Sequence, residues 1–130
     1  MTSPRENVSV LAIDDDYNTL DVFSEFLELC DVKVIGKGHD GKEAVDLYSQ
    51  LKPDIVFLDV MMPNYDGFYA LEKIREINPN AVVIMVTADL TSETEQRLNK
   101  LKPNCIVYKP FDIQQILEQI DKLALEMVKS

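Results

Sequence analysis

Two stretches of this chain, Ile55-Val56-Phe57-Leu58 and Ala81 to Val86, are apolar at every position, and each stops at a polar residue, Asp59 and Thr87. A half-exposed strand alternates apolar and polar side chains. An unbroken apolar run of this length instead marks a strand covered on both faces, as in a parallel sheet held between layers of helices. Further strand-like runs occur at Val8 to Ile13, Val32 to Ile35 and Cys105 to Tyr108, and a helical pattern follows every run. Leu20, Phe23, Phe26, Leu27 and Cys30 keep helical spacing after the first run. After the second, Asp40 is an N-cap with Glu43 three residues on, and Ala44, Val45, Tyr48 and Leu51 form a buried face. Phe68, Leu71, Ile74 and Ile77 mark a third helix beyond the turn-forming Met62 to Gly67. Leu98 and Leu101 mark a weaker fourth, capped by Ser92 with Glu95. Asp112 with Gln115 caps a fifth, whose stripe of Ile113, Ile116, Leu117, Ile120, Leu123, Ala124 and Met127 is strongly amphipathic. Five β-then-α units predict right-handed crossovers between parallel strands, and so an open α/β sheet with helices on both faces.

With 130 residues, the chain has the length of one domain. The units place that domain at 8–128 behind an N-terminal tail at 1–7 and leave no room for an output domain. Thirteen Lys and Arg against 23 Asp and Glu give a formal charge of −10, so the surrounding field repels nucleic-acid backbones and anionic lipid surfaces. No apolar run approaches the eighteen or so residues of a membrane span, and the first residues lack the apolar centre of a signal peptide. Cys30 and Cys105 sit among apolar neighbours as reduced residues of the interior, which fits a cytoplasmic protein.

In open α/β sheets, ligands bind in the crevice at the carboxyl ends of the strands. Asp14 and Asp15 follow the first strand, Asp59 the third, Thr87 the fourth and Lys109 the fifth. Three carboxylates around one crevice with a single Lys are under-neutralised, and such a cluster either raises some of its pKa values or recruits a cation. Mg²⁺ suits it, because the ion favours oxygen ligands and keeps positions open for water or phosphate oxygens; Mn²⁺ is an alternative. The cation and Lys109 would make an anion site beside Asp59, with the Thr87 hydroxyl as a further donor. Such a site can hold a carboxylate nucleophile that forms an aspartyl phosphate.

These pieces resemble the receiver domain of two-component response regulators. The matching segments are Leu11-Ala12-Ile13-Asp14-Asp15-Asp16, Pro53 to Asp59, Met62-Pro63 with Asp66-Gly67, Val86-Thr87-Ala88 and Lys109-Pro110-Phe111. Their order and spacing match over essentially the whole chain from Val8. The resemblance implies a flavodoxin-like (βα)5 sheet of five parallel strands in the order 2-1-3-4-5. It makes Asp59 the phosphoacceptor, Asp15 a direct Mg²⁺ ligand, Asp14 a supporting one and the Met61 main-chain carbonyl a further ligand. Thr87 and Ala88 would bind the phosphoryl group, Lys109 would pair with it, and the bond to Pro110 would be cis. The implied donor is a sensor histidine kinase or a histidine phosphotransfer protein. The implied output is a downstream protein bound on the face of the fourth helix, fifth strand and fifth helix, by a monomer or a phosphorylation-linked dimer.

The fifth strand departs from the pattern. Receivers commonly carry Tyr or Phe three residues before the Lys, and here that residue is Ile106. Tyr108 projects from the same side of the strand, roughly 7 Å further on, so Ile106 and Tyr108 are candidates for the output surface. Met61, two residues past Asp59, offers no hydrogen bond to an attacking water, which implies a persistent phosphoryl group. Simpler roles suit Asp16 (first turn of a helix), Asp54, Asp66 and Asp89 (cap, turn and loop) and His39 (a bystander in a surface loop). Two other functions compete. Asp14-x-Asp16 matches the opening of haloacid-dehalogenase-type phosphatases, although Asn18 stands where Thr or Val is usual; a phosphorylation-independent adaptor would keep only the fold.

Overall fold

The computed structural model describes residues 4–129. Its regular elements are β1 (Ser9–Ile13), α1 (Tyr17–Leu29), β2 (Lys33–Gly38), α2 (Gly41–Leu51), β3 (Ile55–Asp59), α3 (Gly67–Ile77), β4 (Val82–Thr87), α4 (Ser92–Leu101), β5 (Cys105–Tyr108) and α5 (Ile113–Lys129). The five strands are parallel in the order β2-β1-β3-β4-β5. β3 is buried along its whole length, and β4 along all but its first residue, as the unbroken apolar runs require.

Alternation along the central strands divides the interior into two layers. Val56, Leu58, Val83 and Met85 pack with Ala44, Tyr48, Leu71, Ile74 and Leu98 of α2, α3 and α4. Ile55, Phe57, Ile84, Val86 and Val107 pack on the other face with Leu27 of α1 and with Ile116, Leu117, Ile120 and Leu123 of α5. Burying each of these large side chains contributes roughly 1.5–3 kcal/mol. Cys30 and Cys105 are unpaired and half-buried at the margin of the second layer.

Side chains close the helix starts. Asp16, Asp40 and Asp66 accept the N–H of Thr19, Glu43 and Tyr69 at 2.9, 2.8 and 3.0 Å, and Asp112 accepts that of Gln115 at 2.8 Å. These short carboxylates satisfy donors that have no partner inside the helix.

Several boundaries differ from the sequence expectation. β2 runs to Gly38 because pairing with β1 continues to Ile13, and Ile35 is accommodated at an irregularity in the register. The cap of α4 is Thr91, not Ser92: Thr91 has the extended backbone and its Oγ1 accepts the Thr94 N–H at 3.3 Å. Leu51, Ile77 and Phe26 fit the helical period yet are exposed. Within the expected tail, Pro4–Asn7 forms a 3-10 turn tied to α5 by an Arg5–Asp121 ion pair at 3.0 Å.

Candidate functional site

Register brings the strand ends together. Ile13 pairs with Leu58 and Asp59 with Val86, so Asp14 and Asp59 are neighbours; Thr87 pairs with Tyr108, the residue before Lys109. Backbone hydrogen bonds carry the alignment past the strands, from Asp14 N–H to Gly38 O (3.1 Å), Val60 N–H to Val86 O (2.9 Å) and Lys109 N–H to Thr87 O (2.8 Å). By alternation, Asp59 and Lys109 share the face of Phe57 and Val107, whereas Thr87 shares that of Met85, toward α3 and α4.

Carboxylate oxygens of Asp14, Asp15 and Asp59 all lie within 4.8 Å of one another; Asp14 and Asp59 are buried and Asp15 is exposed. Lys109 Nζ stands 3.2 Å from Asp14 Oδ2 and 3.6 Å from Asp59 Oδ2. Three acids therefore share one cation. Burial pushes the Asp59 carboxyl up to about 7; Lys109 opposes the rise, and Asp14 and Asp15 add to it. Burial disfavours the Lys109 ammonium, but Asp59 and Asp14 outweigh that and hold its pKa above the ordinary lysine value.

The apolar wall behind Asp59 is aromatic. Phe23 meets Phe57 and Phe111 edge-on at centroid distances of 5.1 and 5.8 Å, beside a cavity of about 30 Å³ that Asp14, Asp59 and Lys109 also line. A larger concavity, about 900 Å³, is an open furrow between α1 and the β2 edge, lined by Asp21, Glu25 and Glu28 and by none of the strand-end acids. Buried charge and strand ends coincide in the smaller space.

The other expected site residues occupy varied positions. Thr87 is fully buried, Ala88 is exposed, and the Met61 side chain is exposed in the loop after β3. The Lys109–Pro110 bond is cis. Ile106 is half-buried against the α2–α4 layer, and Tyr108 is the more exposed of the two β5 residues. Asp16 caps α1, and Asp54 binds the Ser9 N–H and hydroxyl at 2.9 and 3.1 Å.

Three features escaped sequence reasoning. His39 is half-buried, with Nδ1 3.3 Å from the Asp14 carbonyl oxygen and its ring 3.7 Å from that of Tyr17, so it packs on the main chain that carries Asp14 instead of standing free in a surface loop. The expected end of the second strand at Ile35 hid this, because β2 runs on to Gly38 and sets His39 at the carboxyl end of the sheet. Gly67 reads as a turn residue, but it opens α3 against β3: a Cβ there would stand 2.4 Å from the Asp59 carbonyl oxygen. Asp89 is more than a loop residue. Its N–H donates to Thr87 Oγ1 (2.9 Å), while its carboxylate accepts the Thr91 N–H (2.9 Å) and the Thr94 hydroxyl (2.7 Å).

The donor set fits a divalent cation. Every donor is a hard oxygen, one carboxylate is open to solvent, and three negative charges face one positive charge. A model of the response regulator receiver domain matches residues 10–121, nearly the whole chain. The chain belongs to the response regulator receiver family. Among relatives, Protein CcdB of Bacillus subtilis is 33% identical over 114 residues, covering 88% of this chain and 95% of that protein. Chemotaxis protein CheY of Thermotoga maritima is 30% identical over 115 residues, covering 88% and 96%. The crystal structure of the CheX-CheY-BeF3-Mg complex from Borrelia burgdorferi superposes with a TM-score of 0.85 at 27% identity, covering 94% of this chain and 98% of that one. Receivers are signalling proteins of two-component systems. The haloacid-dehalogenase reading needed Asp16 in the site, and in this receiver Asp16 serves α1 instead.

Proposed function

We propose that this protein accepts a phosphoryl group on Asp59 from a phosphohistidine of a sensor histidine kinase or histidine phosphotransfer protein, and signals by phosphorylation-controlled protein binding. The observation that carries the reading is the convergence of Asp14, Asp15, Asp59 and Lys109 at one strand-end crevice, with Asp59 against the aromatic wall. A carboxylate Oδ of Asp59 attacks phosphorus and the P–N bond to the donor imidazole breaks. The nitrogen keeps the electron pair and takes a proton. Asp14, Asp15, Asp59 and the Met61 main-chain carbonyl would hold Mg²⁺, which supplies charge neutralisation for the approaching phosphoryl oxygens. Lys109, already within 3.6 Å of Asp59, pairs with the transferred group, and the Thr87 hydroxyl and Ala88 border it.

Family membership supports this, as does the relative crystallised with BeF3 and Mg. The exposed Tyr108 and Leu90 belong to the face of α4, β5 and α5 on which a downstream protein would dock. A low-molecular-weight acyl phosphate with Mg²⁺, followed by intact-mass measurement, tests the reading. Wild type is expected to gain one phosphoryl group, dependent on Mg²⁺, and Asp59→Asn none.

A further inference from the structure

The open furrow between α1 and the β2 edge, about 900 Å³, has no part in the phosphoacceptor reading. Asp21, Glu25 and Glu28 line its helical wall. Lys37 Nζ answers Asp21 at 2.9 Å, and Glu28 Oε1 accepts the Val34 N–H at 2.9 Å. Glu25 and Glu28 have no ion pair among the described residues, so the furrow keeps a negative excess.

A polar group without a role in the fold stands between these acids. Ser24 lines the same furrow and is 6% exposed, and its Oγ has no hydrogen-bonding partner among the described residues. A serine within a helix ordinarily turns its hydroxyl to the carbonyl one turn back, and Ser24 makes no such bond. Alanine would suit the helix and the packing better, because a buried hydroxyl left unpaired destabilises the fold. The Ser24 hydroxyl is therefore spare for a ligand that supplies a donor or an acceptor. Exposed Leu29 and half-buried Val34 and Ile35 add apolar contact in the same space.

Charge and spacing identify the occupant. A second copy of this chain, at −10, would bring acid against acid. Although β2 is an edge strand, Lys33, Lys37 and the register irregularity at Ile35 discourage pairing with another regular strand. Side chains, not a β-ladder, must hold what binds. Asp21, Glu25 and Glu28 follow one another along the helix axis at steps of about 6 and 4.5 Å, close to the roughly 6.6 Å between alternate side chains of an extended segment. We propose that the furrow docks an extended, lysine- or arginine-bearing segment of a partner protein, with Ser24 hydrogen-bonding its main chain and Glu25 and Glu28 pairing with its basic side chains. A turn about χ1 presents the Ser24 hydroxyl to that main chain. The apolar residues between the basic ones rest on Leu29, Val34 and Ile35. The proposal stands apart from the chemistry of Asp59, since none of the strand-end acids lines the furrow.

Titration of the full chain with the peptide acetyl-Lys-Val-Lys-Val-Lys-amide, followed by amide NMR at about 0.1 M salt to screen distant charges, tests the proposal. Shifts are expected at residues 21–29 and 34–37. Ser24→Ala should bind the peptide about fivefold more weakly, the effect of one lost hydrogen bond, while its melting temperature rises by about 4 °C. Glu25→Gln should weaken binding about threefold, and Glu72→Gln, an exposed acid of α3, should leave it unchanged. Shifts scattered over other acidic surfaces, none at millimolar peptide, or equal affinity in Ser24→Ala would overturn the proposal. So would a lowered melting temperature in Ser24→Ala, which would give the hydroxyl a role in the fold. Spermine moving the same amides at lower concentration than the peptide would make the occupant a small polyamine, and concentration-dependent shifts without peptide would make the furrow a contact between copies of this chain; either result also overturns it.

Discussion

Asp59 is held where its ionised form is least comfortable, with Phe57 and its aromatic neighbours on one side and two further acids on the other. An unfolded aspartate titrates near 3.8 and the folded Asp59 near 7, so the fold favours the protonated form. In metal-free buffer its contribution to stability is complete below about pH 4 and is lost as pH rises through about 7. Thermal melts across that range should show Asp59→Asn gaining on wild type as pH rises; a pH-independent difference would mean that Asp59 is not strained. Lys109 offsets part of this charge, so Lys109→Met should destabilise the metal-free protein by roughly 1–3 kcal/mol, with Mg²⁺ restoring part of the loss. Chemical denaturation with and without the ion checks both halves. Met61 has an exposed apolar side chain, and the Asp89 carboxylate is occupied by Thr91 and Thr94, so neither is arranged to activate water. Met61→Asn should therefore shorten the lifetime of the phosphoryl group, read as loss of the mass adduct with time. At this scale the strand-end acids and Lys109 were legible as the polar residues that terminate apolar runs. The link from Thr87 through Asp89 was not, because a side chain two residues past a strand can point toward solvent, the site or the next helix with equal sense in sequence.

Elements were legible in proportion to how much they bury. The unbroken runs of β3 and β4 and the stripe of α5 match their observed spans closely, whereas α4, with only Thr94 and Leu98 buried, left its cap a residue misplaced. Where packing does not decide, adjacent Thr91 and Ser92 are equally good caps, and the hydrogen bond from Thr91 N–H to Asp89 selects the first. The loop between β3 and α3 shows the opposite case, a geometry set by two close approaches. Gly41 N–H donates to Tyr65 O at 2.7 Å, Gly67 N–H donates to Val60 O at 2.9 Å, and a Cβ on either glycine would collide with backbone of this loop or of β3. Gly67→Ala should cost roughly 1–3 kcal/mol and displace the backbone beside Asp59, lowering both the melting temperature and the rate of phosphoryl uptake. An alanine variant with unchanged uptake would show that the loop tolerates the shift.

For the whole molecule, the charge of −10 divides into two parts. Most of it lies on solvated helix faces, but Asp14, Asp15 and Asp59 form a repelling group that persists because the site needs it, the usual conflict between stability and function. A cation bound only by the folded state stabilises it by mass action, about 2.7 kcal/mol at a hundredfold excess over Kd. Mg²⁺ should accordingly raise the melting temperature of wild type and do so much less for Asp15→Asn. The alternation of strands and helices is spread over the entire chain, which is why an open α/β sheet could be read without coordinates, whereas the strand order was implied only by the resemblance to receivers. The central claim concerns a single atom group among three neighbouring acids, and it is tested most directly by locating the phosphoryl group after reaction with an acyl phosphate and Mg²⁺. Peptide mapping by tandem mass spectrometry should find it on Asp59 alone; modification at Asp14 or Asp15, or none at all, would contradict the assignment of Asp59 as the phosphoacceptor.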